Sequence, residues 1–421
     1  MLNRKIAPIG HALEEIKVPR VEEFILSSGI PVYYYSVDEQ PVVKIELLFD
    51  SSLFHEFNPA AGTFVSKLFK EGTHSKKSKE INQLFAEWGA FVECSANHQY
   101  FTVNIYSMNR VLPKVLTLVS EILNEAIFPE EEIVKLRQQQ ISQHRINLKK
   151  TDFVAHQVYN ENLFGLTSPY GKKIDLSDIE EISREEIVRY YNAIVQSRPF
   201  TVLIAGYVAK GVIKSMEDVF SAHQTIVGLT GDFKVHDFKV NNIIDNWEDA
   251  VQTSLRSGRM MPNRKDKDIH KIAVANEILG GYFGSRLMKN IREEKGYTYG
   301  IYSRINHLKH ASYLTVSAEI IKESKEDALK EINKEIDILL NVPVPKDELE
   351  VVKNYMLGTF YNNLSSPFSV LSLFKMLHDS NLEYDYFTDR FRTIQNISSK
   401  DLIEIYNKYF DYRQFLSVMV G

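Results

Sequence analysis

Two hydrophobic rhythms alternate along this chain. Residues 99–108 (QYFTVNIYSM) and 311–320 (ASYLTVSAEI) carry apolar and polar side chains in turn, the period of a half-buried strand. Each is followed by a longer stretch, 111–126 and 324–340, whose apolar residues recur at helical spacing. Strands that alternate cleanly belong to antiparallel sheets with one packed face, and amphipathic helices cover such a face. The pattern predicts an α+β fold of antiparallel sheets with helices packed on one side.

The pattern also occurs twice. Residues 182–206 (ISREEIVRYYNAIVQSRPFTVLIAG) and 397–421 (ISSKDLIEIYNKYFDYRQFLSVMVG) align at a constant offset of 215, pairing Ser183 with Ser398, Tyr191 with Tyr406 and Gly206 with Gly421. Each reads as a Ser-capped amphipathic helix followed by an apolar strand. Upstream, FPEEEIVKLRQQQIS from Phe128 matches VPKDELEVVKNYML from Val344 at an offset of 216, and each has a proline before an acidic first helical turn. Two homologous α+β domains are expected, residues 1–227 and 236–421, facing each other across a cavity. Their joint is the polar stretch VGLTGDFKVHDF, with Gly228 and Gly231.

Composition narrows the classes. At 421 residues the chain is too long for one ordinary core. A formal net charge of −5 gives no footing for a nucleic-acid binder. The single cysteine, Cys94, allows neither an intrachain disulfide nor a cysteine-rich zinc site. The first twenty residues hold no apolar run of signal-peptide length, and no stretch approaches 18 apolar residues, so no membrane span is expected. A cytoplasmic location follows, or a periplasmic one for a chain trimmed of its signal.

Chemistry is suggested at residues 60–73, AAGTFVSKLFKEGT, which follow a turn at Pro59 and read as a helix start. Positions 63, 66 and 67 share one helical face, the i, i+3, i+4 spacing of an H-x-x-E-H zinc site. The chain resembles the pitrilysin/insulinase family of inverted-motif zinc peptidases, most closely its processing-peptidase branch. The likeness rests on LLFDSSLFHEFNPAAGTFVSKLFKEGT, GAFVECSANHQYFTV, FPEEEIVKLRQQQISQ, SPYGKK and LGGYFGSRLMKNIREEKGYTYGIYS. By that resemblance the two ligand histidines fall on Thr63 and Lys67 and the general base on Ser66. The distal glutamate, six residues after an arginine, falls on Gln143, counted from Arg137.

All four positions are substituted. A threonine hydroxyl is a poor zinc ligand, neutral Ser66 cannot act as base, and Lys67 places an ammonium where a dication would sit. His55, His74, His98 and His144 are near in sequence, but HEFNP is interrupted by Pro59, and the four read as ordinary surface or strand-end residues. No metal is expected in this chain.

The second half keeps more of the family pattern. Gly280, Gly281 and Gly284 precede Ser285-Arg286-Leu287, Gly296 closes a helix, and Tyr299 opens a strand. The resemblance implies that Arg292 and Tyr299 contact substrate, the guanidinium as an anchor and the phenol as an oxyanion donor. It also implies contact between the glycine loop and an extended peptide. The expected role is the non-zinc subunit of a heterodimeric metalloendopeptidase, with zinc in a homologous partner; a homodimer and an inert structural or peptide-binding module are the alternatives. The strand near FVECSANH is a candidate for edge pairing with a peptide.

Overall fold

Both alternating segments become inner strands of separate sheets. The computed structural model describes residues 15–38, 41–51, 56–197, 199–208, 210–221 and 238–421; the expected joint, apart from its last residue, and His55 lie outside them. The first half runs β1 (Glu22–Ile25), β2 (Pro31–Ser36), β3 (Val42–Asp50), α1 (Ala61–Leu68), α2 (Ser78–Trp88), β4 (Phe91–Ala96), β5 (Tyr100–Met108), α3 (Leu112–Glu125), α4 (Glu130–Asn147), α5 (Thr151–Phe164), α6 (Leu176–Glu181), α7 (Arg184–Tyr190), β6 (Phe200–Gly206) and α8 (Lys210–Phe220). Its sheet has the order β1-β2-β6-β3-β5-β4, antiparallel except for the β2–β6 pair.

The second half repeats the plan: β7 (Asn242–Asp245), β8 (Gln252–Met261), α9 (Ile269–Asn276), β9 (Thr298–His307), β10 (Ser312–Ile321), α10 (Lys325–Asn341), α11 (Lys346–Asn362), α12 (Pro367–Ser380), α13 (Asp385–Asn396), α14 (Ser399–Tyr409) and β11 (Leu416–Val420). Its sheet order is β7-β11-β8-β10-β9, with β7–β11 the parallel pair. Read from β2, the first sheet has the same order.

The paired sequence motifs occupy matching places. Ser183 and Ser398 each accept a hydrogen bond from the backbone three residues on, and each is answered by an acidic side chain, Glu186 or Asp401. These caps open α7 and α14, which lead into β6 and β11. Pro129 and Pro345 stand before the acidic first turns of α4 and α11. Gly206 and Gly421 end the two strands at φ +117° and +140°, and a Cβ there would lie 2.1 Å from Val42 O and 2.3 Å from Gln252 O. Only glycine fits that backbone and that space.

Each sheet buries one face under helices of its own half. The first core gathers Ile45, Leu47 and Phe49 of β3, Phe101 and Val103 of β5, and Phe64, Val119 and Ile194. The second gathers Leu255, Leu314, Val316, Ile332, Ile336, Leu402 and Phe391. The α+β reading holds, with two additions. One pair of strands in each sheet is parallel. The second face is also covered, by a helix from the other half.

That exchange is reciprocal. α5 lays Ala155, Tyr159 and Leu163 against Leu416, Val418 and Val420 of β11, and Tyr159 Oη donates to Leu314 O of β10 at 2.9 Å. Gly258 of β8 makes room: a Cβ there would lie 2.7 Å from the Tyr159 hydroxyl. α12 in turn packs Leu371, Phe368 and Phe374 on Leu48, Leu203 and Ala205. Its Lys375 reaches Glu46 of β3 at 3.0 Å, and Tyr100 Oη donates to Asp379 at 2.8 Å. Burial pushes the Glu46 carboxyl up, but Lys375 and Lys44 outweigh it and hold the carboxyl below its ordinary value. An apolar stripe on a helix does not say which sheet it will cover, so the exchange was invisible in the sequence. Among the described residues, no helix is long and apolar enough to cross a membrane.

Candidate functional site

α1 begins where Asn58 turns the chain. Its Oδ1 accepts from Ala60 N at 2.8 Å, and its Nδ2 donates to Asp178 O at 3.0 Å. Gly62 presses α1 against α7 and β4; a Cβ there would sit 2.9 Å from Tyr190 Oη and 3.0 Å from Ala96. Phe64, Val65 and Leu68 point into the core, so Thr63, Ser66 and Lys67 take the outward face.

Of the four degenerate positions, two meet. Thr63 and Gln143 line a cavity of about 330 Å³ enclosed by α1, α4 and α5. Ser66 and Lys67 are not in its wall: Ser66 Oγ turns back to donate to Thr63 O at 2.9 Å, and Lys67 is exposed. Gln143 Nε2 donates to Asn147 Oδ1 at 3.0 Å. The rest of the wall mixes amides and imidazoles (Gln140, Asn160, His98, His144, His156) with the lysines Lys172 and Lys173 and with apolar Phe64, Phe153 and Ile174. Burial lowers the pKa of His98 and of His156, with the charge of Arg256 adding to the effect at His156, so both are neutral at pH 7.

The histidines need one correction. His98 stands in the turn after β4 as expected, but His144 is not a surface residue. It is buried in α4, edge-on to Phe153 of α5 at 5.9 Å. His156 was missed entirely, because it enters the wall only through the placement of α5; its Nε2 is 3.1 Å from Asn160 Nδ2.

Does this donor set suit zinc? Among the described residues no group of three or more His, Cys, Asp or Glu side chains is placed to hold a metal ion. The family positions supply a hydroxyl, a hydroxyl bonded to its own helix, an ammonium and an amide bonded to Asn147. None carries negative charge, so they do not fit a dication.

Arg292 and Tyr299 stand elsewhere. Gly296, at φ +68°, closes the helical segment that carries Arg292. Between the pairs Thr298–Ile320 and Ile301–Ala318 the β9–β10 register slips, so Tyr299 and Gly300 together oppose Glu319. The bulge turns Tyr299 outward, and it is 91% exposed. The Arg292 guanidinium lies over the exposed Phe283 ring, 4.6 Å from its centroid. Neither residue lines the cavity at Thr63.

The glycines are close-packed. A Cβ on Gly280 would lie 2.6 Å from Ser303 N of β9, one on Gly281 2.7 Å from Glu277 Oε2, and one on Gly284 2.8 Å from the Tyr282 ring. Close packing on β9 leaves no room for a side chain at Gly280. β4, the strand of FVECSA, lies at the edge of the first sheet with Phe91, Glu93 and Ser95 exposed.

Comparison with known proteins agrees with this geometry. Residues 181–356 match the family model described as the Peptidase M16 inactive domain. The chain is 21% identical over 310 residues to an uncharacterized zinc protease, YmxG, of Bacillus subtilis, covering 73% of this chain and 75% of that protein. It is 21% identical over 343 residues to a non-peptidase homolog, also named YmxG, of Helicobacter pylori, covering 80% and 78%. In fold it is similar to the crystal structure of a peptidase M16 inactive domain from Pseudomonas fluorescens, with a TM-score of 0.86, 21% identity, and coverage of 96% of this chain and 98% of that one. The two-sheet fold, the family match over residues 181–356 and these likenesses together support a chain of the M16, pitrilysin/insulinase-like, metallopeptidase kind with a degenerate zinc motif.

Proposed function

We propose that this chain is the non-zinc subunit of a two-chain endopeptidase and supplies Arg292 and Tyr299 to the zinc site of a homologous partner. The observation that carries the reading is the exposure of Tyr299. A phenol thrown outward by a bulge, on an edge strand, has no packing duty and is free to reach another chain. Arg292 is held over Phe283 with its charge uncommitted to an ion pair among the described residues. In the mixed site the phenol would donate to the oxyanion of the tetrahedral intermediate, and the guanidinium would hold a substrate carbonyl or carboxylate. The zinc of the partner would activate water; this chain binds and orients.

The edge of β4 supports a second reading, an inert module that holds an extended peptide by main-chain pairing. One experiment separates the two. The chain, its Tyr299→Phe form and its Arg292→Ala form are each mixed with a homologue bearing an intact H-x-x-E-H motif, and cleavage of an unstructured peptide is followed. Loss of turnover with retained assembly supports the composite site. Wild-type rates from both variants leave the peptide-holding module. The chain alone should cleave nothing.

A further inference from the structure

The second half contains a cavity of its own, about 310 Å³, behind α9. It lies at the small end of ligand-binding pockets, which start at roughly 300 Å³. Arg264 enters from the β8–α9 loop, His270 and Glu277 from α9 and the turn that follows, His307 from β9, and Tyr386 and Arg390 from α13. Apolar floor is supplied by Ile269, Ala273 and Met356.

Its charges are not balanced as they are elsewhere in this half. Arg286 is held by both oxygens of Glu348 at 2.9 Å, Lys271 meets Asp401 at 2.7 Å, and Lys408 meets Asp268 at 2.7 Å. Arg264 and Arg390 have no such carboxylate among the described residues. Arg390 stacks on Phe360 at 5.4 Å, and its Nε is buried with no hydrogen-bond partner. A buried guanidinium N–H left without an acceptor is costly, and native structures rarely keep one without a reason.

The neighbours sharpen this. Burial, and then the charges of Arg264 and Arg390, push the His307 imidazole down to about 3; burial and Arg390 push His270 down to about 4. Both rings are therefore neutral at pH 7. His307 Nδ1 is engaged by Ser312 Oγ at 2.8 Å, and the rest of the ring borders the cavity. Glu277 is the one carboxyl in the wall; burial raises its pKa, against the pull of Arg390. It lies over Gly281 and makes no ion pair among the described residues. Three arginines, Arg264, Arg304 from β9 and Arg390, line the space with one reluctant carboxyl, and it is large enough for a guest.

We infer that this cavity binds a small molecule through an oxyanion, carboxylate or phosphate, clamped by Arg390 and Arg264 with His270 and His307 as hydrogen-bond partners. A planar fork of N–H donors matches either headgroup. The apolar floor accepts a short aliphatic remainder.

The test titrates the whole chain with inorganic phosphate and, separately, with glutarate, by calorimetry and by thermal unfolding in an anion-poor buffer. At least one probe should saturate at one per chain and raise the unfolding midpoint, and the one that does names the headgroup. Arg390→Gln and Arg264→Gln should each weaken that probe tenfold or more, while Lys334→Gln on the exposed face of α10 should not. Without anion, Arg390→Met should unfold at a higher temperature than the parent, because it removes a buried charge that repels Arg264; this readout needs no ligand. Failure of both probes to saturate at millimolar concentration, or binding indifferent to both arginine changes, overturns the assignment. Neither result bears on Tyr299 or the mixed peptidase.

Discussion

The cavity behind α1 and the cavity behind α9 each lie beside the helix that follows the long central strand, in sheets of matching strand order. Their walls differ in kind. The first mixes amides, imidazoles, Lys172 and Lys173 with apolar side chains, and includes Thr63 and Gln143, which the family resemblance aligns with metal ligands. The second keeps guanidiniums with no carboxylate partner among the described residues, and the buried Nε of Arg390 has no acceptor there. One wall carries lysines, with Lys173 3.6 Å from Asp175, while the other holds guanidiniums that no carboxylate pairs among the described residues. A duplicated scaffold can thus keep its topology, which its buried apolar cores enforce, while a handful of wall residues come to differ.

Four measurements break or sharpen that contrast. The largest effect is expected for metal. Purified chain should hold no stoichiometric zinc at residues 63, 66, 67 and 143; a ratio near one, lost on Gln143→Ala, would erase the difference between the halves. Next is the composite site, where Tyr299→Phe should slow peptide hydrolysis by the mixed complex about 10²–10³-fold, the usual loss for one oxyanion donor. Arg292→Ala should raise KM as well as lower kcat, since a ground-state anchor is removed too. Assembly should be unchanged in both, as sedimentation would show.

Third is the covering of the second sheet. Gly258→Ala inserts a methyl against Leu314 O and the Tyr159 hydroxyl. Overpacking together with the lost hydrogen bond should cost about 2–4 kcal/mol in urea unfolding. Gly211→Ala, where nothing lies within 4 Å, serves as control.

The smallest effect is acid sensitivity on the α9 side. His270 takes a proton only near pH 4 in the folded chain, and an unfolded imidazole does so near 6.5. Its stabilising contribution is complete above about pH 6.5 and is lost as pH falls toward 4. Between pH 7 and about pH 4.5 the parent should lose on the order of 2 kcal/mol more than His270→Gln, read from urea midpoints. Equal losses would mean that His270 is protonated in the fold and that the cavity is wetter than its lining implies.

Much of the architecture could be read in advance, because its causes are local. Ser183 and Ser398, Pro129 and Pro345, and the alternation in β5 and β10 act within a few residues. The terminal glycines of the repeat were visible as a match, though their reason, a backbone carbonyl about 2 Å from a Cβ, was not. The face shared by Thr63, Ser66 and Lys67 was also readable, since it follows from helical spacing. The walls were not. His144 becomes a cavity residue because Phe153 packs on it, and Arg264 meets Arg390 only when α13 docks beside α9. The division at residues 227 and 236 is our reading of the repeat, resting on the matching strand orders.

The exchange of α5 and α12 also bears on how the chain is made. β3, β5 and β6 leave the ribosome well before α12, so Leu48, Leu203 and Ala205 spend that interval without the Leu371 and Phe368 that cover them. Burying such side chains contributes about 1.5–3 kcal/mol each. The first half thus leaves an apolar sheet face uncovered until the second is translated. Neither half cut free would carry its own lid; synthesised as two fragments in one cell, they would depend on each other for solubility, each supplying the helix that the other lacks.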